Sequence, residues 1–295
     1  MPMAFPISNW MNYPVRKLSH KEFPALLKEI SDPPESLYLR GNLPTQSKIL
    51  SVVGARAYSS YGKEVCEMLI GGLRGYNVAI VSGLALGIDS IAHKSALSAG
   101  LFTLAVPGSG LSDDVLYPST HKKLAHGILD AGGGLISEFE PDFKATPWSF
   151  PQRNRIMAGL SHATLVIEAE KKSGTLITSR LAVEYNRDVF TVPGSIFSKN
   201  SEGPHLLIRL GATPISTSKE LREALGFKED RSEEDIRENC SPEENKIFDL
   251  LRAPLTKDEL IRESGLSISQ ANTLISLMEI KGLIEESVGE IRIRK

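Results

Sequence analysis

KILSVVGAR, residues 48–56, is a run of apolar and β-branched residues that ends on Gly54 and Arg56, and the segment after it places Val65, Met68, Leu69 and Leu73 at helical spacing. A continuous apolar run, a tight turn and an amphipathic stretch read as strand, turn and helix. The unit recurs: NVAIVSG (77–83) before a helix over Ser90–Ala99, LFTLAVPG (101–108) before Thr120–Leu129, and GLISEF (134–139) before Asn154–Leu160. ATLVIEA (163–169) before Leu176–Asn186 and DVFTVPG (188–194) before a helix near Pro204–Leu210 complete the series. Strands that are apolar throughout and alternate with helices predict a mostly parallel sheet covered on both faces. The expected fold is therefore α/β, an extended Rossmann-like, doubly wound domain over residues 47–226.

Residues 1–46 read as a lead-in, the reduced stub of a helical domain, with one helix over Lys21–Ile30 ended by Pro33 and Pro34. Residues 227–240 carry three Lys and Arg against six Asp and Glu and read as an acidic linker. Beyond it, Ser241-Pro-Glu-Glu244, Thr256-Lys-Asp-Glu259 and Ser267-Ile-Ser-Gln270 are successive capping boxes, each before an apolar-periodic helix. Gly265 and Gly282 stop the second and third helices, and LIEESVGEIRIR (283–294) reads as a hairpin. Helix, helix, helix and hairpin predict a small C-terminal winged helix-turn-helix domain over 241–295.

Of the 295 residues 41% are hydrophobic and 24% charged, with a formal charge of −2, which denies any globally basic character. A nucleic-acid site would have to be a local patch. Residues 47–226 carry eighteen Lys and Arg against sixteen Asp and Glu, which makes this region the best electrostatic candidate. Met1–Tyr13 has no basic leader before an apolar core, and no apolar run approaches the roughly 20 residues that span a bilayer, so a cytoplasmic location is expected. Cys66 and Cys240 stand without a CxxC, and His121, His126, His162 and His205 show no metal spacing. Neither a disulfide, a metal nor a cofactor is expected.

In a doubly wound sheet, ligands bind beyond the carboxyl ends of the strands. Those ends carry Gly54-Ala55-Arg56, Ser82-Gly83-Leu84-Ala85-Leu86-Gly87-Ile88-Asp89, Pro107-Gly108-Ser109-Gly110, Lys171-Lys172-Ser173-Gly174-Thr175 and Pro193-Gly194-Ser195. Glycine lets backbone approach a phosphate, Ser and Thr donate hydrogen bonds, and Arg56 offers a charge-assisted grip. A glycine in one such turn can be purely conformational; convergence of several at one sheet edge points to a row of phosphates. Gly54-Ala55-Arg56 replaces the GxGxxG that a dinucleotide site prefers.

The loop read over Phe139–Arg155 interleaves Phe139, Phe143, Trp148 and Phe150 with Lys144, Arg153 and Arg155. Aromatic planes and cations suit stacked bases and a phosphate backbone. The competing reading is that Trp148 and Phe150 plug the core while Arg153 and Arg155 cap strands. Asp89 and His93 share a helical face, but without a nucleophile they read as a turn brace and a core hydrogen-bonder.

These residues resemble the DNA processing protein A (DprA/Smf) family. The likeness runs from about Pro33 to Gly211 through VGAR with Tyr61-Gly62, SGLALGIDSIAH, VPGSGLSDDVLYP, LISEF, FPQRNRIMAGLSHATLVIEAEKKSGTLITSR and RDVFTVPG. The resemblance implies an extended Rossmann fold that binds single-stranded DNA, usually as a homodimer, hands it to the RecA recombinase in natural transformation, and catalyses nothing. Carried over by motif, the phosphate-binding residues are Arg56, Ser82, Gly83, Asp89, Ser109 and Gly110, with Arg153, Asn154 and Arg155 of the RNR motif. Lys172, Ser173, Gly174 and Thr175 follow from the SGT motif, and Phe143 and Lys144 stand where the family places an aromatic and a base. Leu86 stands where the family commonly has Arg or Lys, and Ala55 where it has Ser or Thr. A second reading is a Rossmann-like nucleotide sensor or nucleoside-monophosphate hydrolase, which Glu168, Arg180 and the SGT loop resemble faintly. The winged helix also resembles a tail domain of some members. Its third helix carries few cations, which fits protein contact or weak DNA contact better than duplex reading, although Arg292, Arg294 and Lys295 keep a phosphate contact possible.

Overall fold

A computed structural model describes residues 13–227, 240–287 and 289–293, and the chain divides into two compact units, 1–226 and 227–295. The expected linker falls almost wholly outside the described residues, as do Arg294 and Lys295.

The first unit is built on a nine-stranded sheet. In chain order its strands are β1 (Arg16–Lys17), β2 (Tyr38–Gly41), β3 (Lys48–Val53), β4 (Val78–Ser82), β5 (Phe102–Ala105) and β6 (Gly134–Ser137). β7 (Ala163–Val166), β8 (Asp188–Thr191) and β9 (Thr213–Pro214) follow. The spatial order is β1-β2-β6-β5-β4-β3-β7-β8-β9, parallel from β6 through β9. From β3 the chain winds outward through β4, β5 and β6, then crosses back to continue on the other side with β7. The order thus reverses between β3 and β7, the place where such sheets open a crevice.

The helices are α1 (Ala25–Lys28), α2 (Ser60–Gly71), α3 (Ile88–Ser98), α4 (Lys122–Asp130), α5 (Ser149–Leu160), α6 (Thr175–Glu184), α7 (Glu202–Arg209) and α8 (Ser218–Ala224). α3 packs between α2 and α4, and α5 packs on α1 and α6. Strands buried on both faces, such as β4 with Val78, Ala79, Ile80 and Val81 all under 2% exposed, explain the uninterrupted apolar runs.

Three expectations change. The helix read over Lys21–Ile30 is a 3₁₀ turn, His20–Glu22, and the short α1, because Pro24 holds Phe23 extended (φ −61°, ψ 136°). The lead-in, over its described residues 13–46, is part of the domain: β2 pairs antiparallel with β6, and Leu18, Phe23, Leu27 and Leu37 enter the main core. Arg40, inside β2, is only 5% exposed because its guanidinium forks onto Asp113 at 2.7 and 3.2 Å. Finally, α5 begins at Ser149, not Asn154, since Pro151 falls in the first helical turn, where a missing N–H costs nothing.

The second unit has helices Pro242–Leu250, Lys257–Ser264 and Ile268–Ile280, each opened by its capping box, and a three-stranded sheet of β10 (Leu255–Thr256), β12 (Glu290–Ile293) and β11 (Ile284–Ser287). Ile247, Phe248, Leu260, Ile275, Met278, Ile284 and Ile291 form its core. This is the expected winged helix. Among the described residues no helix is long and apolar enough to cross a membrane.

Candidate nucleic-acid interface

At the β3/β7 reversal the carboxyl ends of the strands open into a cleft of about 660 Å³. It gathers Gly54 and Arg56 after β3, Asp89 at the start of α3, Arg153 and Asn154 on α5, Lys172, Ser173 and Gly174 before α6, and Thr175 as its first residue. The turns of β3 and β7 are welded together: Ser173 Oγ donates to Thr175 Oγ1 at 3.0 Å, and Thr175 Oγ1 donates to Gly54 O at 3.2 Å. Asn154 Nδ2 reaches Gly174 O at 3.4 Å from the α5 wall. An anion here meets the N-terminus of α6, whose dipole favours negative charge.

Arg56 is exposed on the lip, and its guanidinium lies 5.3 Å from the Phe150 ring centroid. Phe150 packs in turn on Tyr117 at 5.5 Å. The stacked ring limits the rotamers of Arg56 while leaving its N–H edges free to grip a phosphate. Phe150 is half-buried against Gly108, as the core-plug reading held, and its ring also supports a cation.

Arg153 is the deepest charge. It is 5% exposed, its Nη1 donates to Val106 O at 2.7 Å, and its Nε has no protein partner. Burial pulls its pKa down to about 10, against the attraction of Asp89, so it is a cation at neutral pH. It does cap the strand end, as one reading held, while still lining the cleft. Asp89 accepts from Gly83 N at 3.1 Å; burial raises its pKa, while Arg153 and the Ala85 and Gly83 N–H groups oppose the rise. Its carboxylate braces the Gly83–Gly87 turn and would repel a phosphate, so its contribution is to hold the loop.

Other expected residues lie elsewhere. Ser82 and Ser109 are fully buried, with Ser82 Oγ donating to Val52 O at 2.7 Å and Ser109 Oγ to Gly110 O at 2.9 Å. Neither hydroxyl is offered to a ligand. Gly83 borders the small adjoining recess with Leu86 and Tyr117. Gly110 is packed under the backbone of Glu140 and Pro141, where a Cβ would approach within 2.2 Å. Arg155 is turned away, paired with Asp32 at 3.1 Å and with Glu138. Phe143 stacks on Phe139 at 4.5 Å with Trp148 edge-on at 5.6 Å, and Lys144 beside them is exposed. Trp148 is 55% exposed and stands in sequence between the cleft-lining Pro147 and Phe150.

Glu168, named in the hydrolase reading, accepts from Ser59 N and Oγ at 2.9 and 2.5 Å and from Asn200 at 3.3 Å. Its oxygens anchor the start of α2 and are not free to act as a base. His93 is buried with Nδ1 2.7 Å from Thr103 Oγ1, the core role expected of it. Asn200, Glu170, Ile177 and Thr178 also line the cleft and are not among the site residues read from the sequence, although the last three lie within a motif of the resemblance.

A family model described as DNA recombination-mediator protein A matches residues 15–226, and one described as DprA winged helix domain matches 231–290. The chain is 42% identical over 222 residues to Protein Smf of Escherichia coli, covering 74% of this chain and 59% of that protein. It is 38% identical over 215 residues to the DNA processing protein DprA of Bacillus subtilis, covering 70% of each. Its fold matches the crystal structure of DNA processing protein A from Streptococcus pneumoniae with a TM-score of 0.64 at 41% identity, over 71% of this chain and 73% of that one. It also matches a structure from Helicobacter pylori, described for the single-stranded DNA binding mode of DNA processing protein A, with a TM-score of 0.65 at 29% identity, over 72% and 96%.

Proposed function

Because the chain belongs to the DNA recombination-mediator protein A family, we propose that it binds single-stranded DNA along the carboxyl edge of its parallel sheet and passes that DNA to the RecA recombinase in natural transformation. The observation that carries the binding step is the cleft at the β3/β7 reversal, where Arg56, Arg153 and Lys172 converge on the N-terminus of α6. Three cations, set against the loop-bracing Asp89 and the exposed Glu170 of the same lining, fit a phosphate better than a neutral ligand. Trp148, 55% exposed and next in sequence to the cleft-lining Pro147, supplies flat apolar surface for a base, which a free inorganic anion would not need. The transfer to RecA and a homodimer through the Rossmann-like domain rest on the family resemblance. The reading involves no chemistry on the DNA: the acid nearest to a hydrolase's, Glu168, is consumed in structural hydrogen bonds.

Fluorescence anisotropy with labelled oligothymidine, against duplex of the same length, tests the binding step. Micromolar or tighter binding to the single strand, weakened in Arg56→Ala, is the expected result; duplex preference or no binding overturns it. RecA nucleation on oligonucleotide coated with single-strand binding protein, with and without this chain, tests the transfer.

A further inference from the structure

The loop after β8 holds two large apolar side chains in water. Ile196 is 80% and Phe197 94% exposed. The loop is nonetheless closely tied: Phe197 N donates to Ser195 Oγ at 3.3 Å and Ser198 N to Ser195 O at 3.0 Å. Tyr61 Oη donates to Pro193 O at 2.6 Å, and His205 Nε2 to Gly194 O at 3.0 Å. Asn200 Nδ2 donates to Ala57 O at 3.0 Å, which fastens the loop to the residue next to Arg56. A bare phenylalanine on a pinned turn loses little freedom when something flat covers it, which is the economy of an aromatic contact residue.

Position decides what covers it. β3, β7 and β8 are neighbours in the sheet, and neighbouring strands lie about 4.8 Å apart. The loop after β8 therefore extends the row that starts at the Arg56 turn and continues through the Lys172–Thr175 turn. A polynucleotide with a phosphate between β3 and β7 brings its next nucleotide to β8. Ser195, Ser198 and the exposed Lys199 flank the pair in sequence. Two apolar side chains in a polar rim are far smaller than a stable protein interface, yet they match the face of one base.

We propose that Phe197, with Ile196 beside it, is a base-stacking platform for the nucleotide following the one whose phosphate occupies the cleft, so that the strand runs across the sheet edge from β3 toward β8. This rests on the single-stranded DNA reading of the cleft. The test uses the full chain, labelled oligothymidine and the same oligonucleotide with an abasic site at successive positions. Phe197→Ala is expected to lower affinity about tenfold, with an unchanged salt dependence because no phosphate contact is lost. Phe197→Trp retains affinity. One abasic position weakens the wild type by a similar factor and leaves Phe197→Ala indifferent. Wild-type affinity in Phe197→Ala, or a loss accompanied by a fall in molar mass by light scattering, overturns the proposal, the second outcome marking Phe197 as an interface between copies. If the wild type binds single strand through Arg56 and ignores Phe197, this inference alone fails; if the wild type does not bind, the reading beneath it fails.

Discussion

A Cβ on Gly83 would lie 1.6 Å from Nη1 of Arg153, so the guanidinium occupies the place where any other side chain would begin. Arg153 cannot simply step aside, because Nη1 is committed to Val106 O and the group is only 5% exposed. Gly83→Ala is expected to cost about 1–3 kcal/mol of stability through overpacking, read as a lower urea midpoint. It should also weaken oligothymidine binding, since the displaced guanidinium leaves the cleft wall. Unchanged affinity in a folded Gly83→Ala protein would show that Arg153 is only a strand cap.

Arg56 and Arg155 share a residue type and differ in surroundings, and their alanine variants should separate. Arg56 is exposed over Phe150, so Arg56→Ala should fold normally and bind single strand with a salt slope smaller by about 0.7, the loss of one phosphate contact. Arg155→Ala leaves Glu138, 8% exposed, without its cation and should cost about 3 kcal/mol of stability. Its binding at temperatures where it is folded should keep the wild-type slope. Anisotropy across a salt series, alongside denaturant melts, reads both.

The contrast between these arginines marks what sequence can and cannot carry. β3 to β8 are legible because strands covered on both faces are mostly apolar instead of alternating, and the capping boxes of the winged helix are local by construction. β2 is not legible, because Arg40 sits in it and is neutralised by Asp113, a partner far along the chain. The row of turns marks the sheet edge at which the cleft opens, but not where each side chain points. Ser82 turns to Val52 O, Ser109 to Gly110 O and Arg155 to Asp32 and Glu138, choices made by tertiary partners that spacing does not encode. The start of α5 is missed for a smaller reason: proline reads as a helix breaker, while in a first turn it is tolerated.

His93 makes stability depend on pH. Burial pushes its imidazole down to about 3, whereas an unfolded histidine titrates near 6.5. Below about pH 6.5 the unfolded chain takes up a proton that the folded chain refuses, so stability is full above that pH and declines toward pH 3. By pH 5 the loss is about 2 kcal/mol. His162, also lowered by burial, adds a loss of the same sign. Urea midpoints at about pH 7.5 and about pH 5 should differ clearly in the wild type, and less in His93→Gln, which lacks the His93 contribution and keeps that of His162. An equal pH slope in both proteins would show that His93 is not the group responsible.

Leu86 offers a gain instead of a loss. It is 50% exposed and lines the small recess with Arg56, Gly83, Tyr117 and Phe150, at the position where relatives are expected to carry a cation. Its side chain therefore leaves the strand-end row one charge short at the β4 turn. Leu86→Arg replaces a half-exposed apolar group with a guanidinium in the recess that Arg56 also lines. If a DNA phosphate passes there, the variant binds oligothymidine more tightly at low salt, and its salt slope steepens by about 0.7. If the strand runs only from β3 toward β8, the new cation meets no phosphate, the slope stays at the wild-type value, and repulsion from Arg56 leaves affinity unchanged or lower. Measured alongside Phe197→Ala, the slope of Leu86→Arg therefore shows how far the strand extends on the β4 side of the cleft.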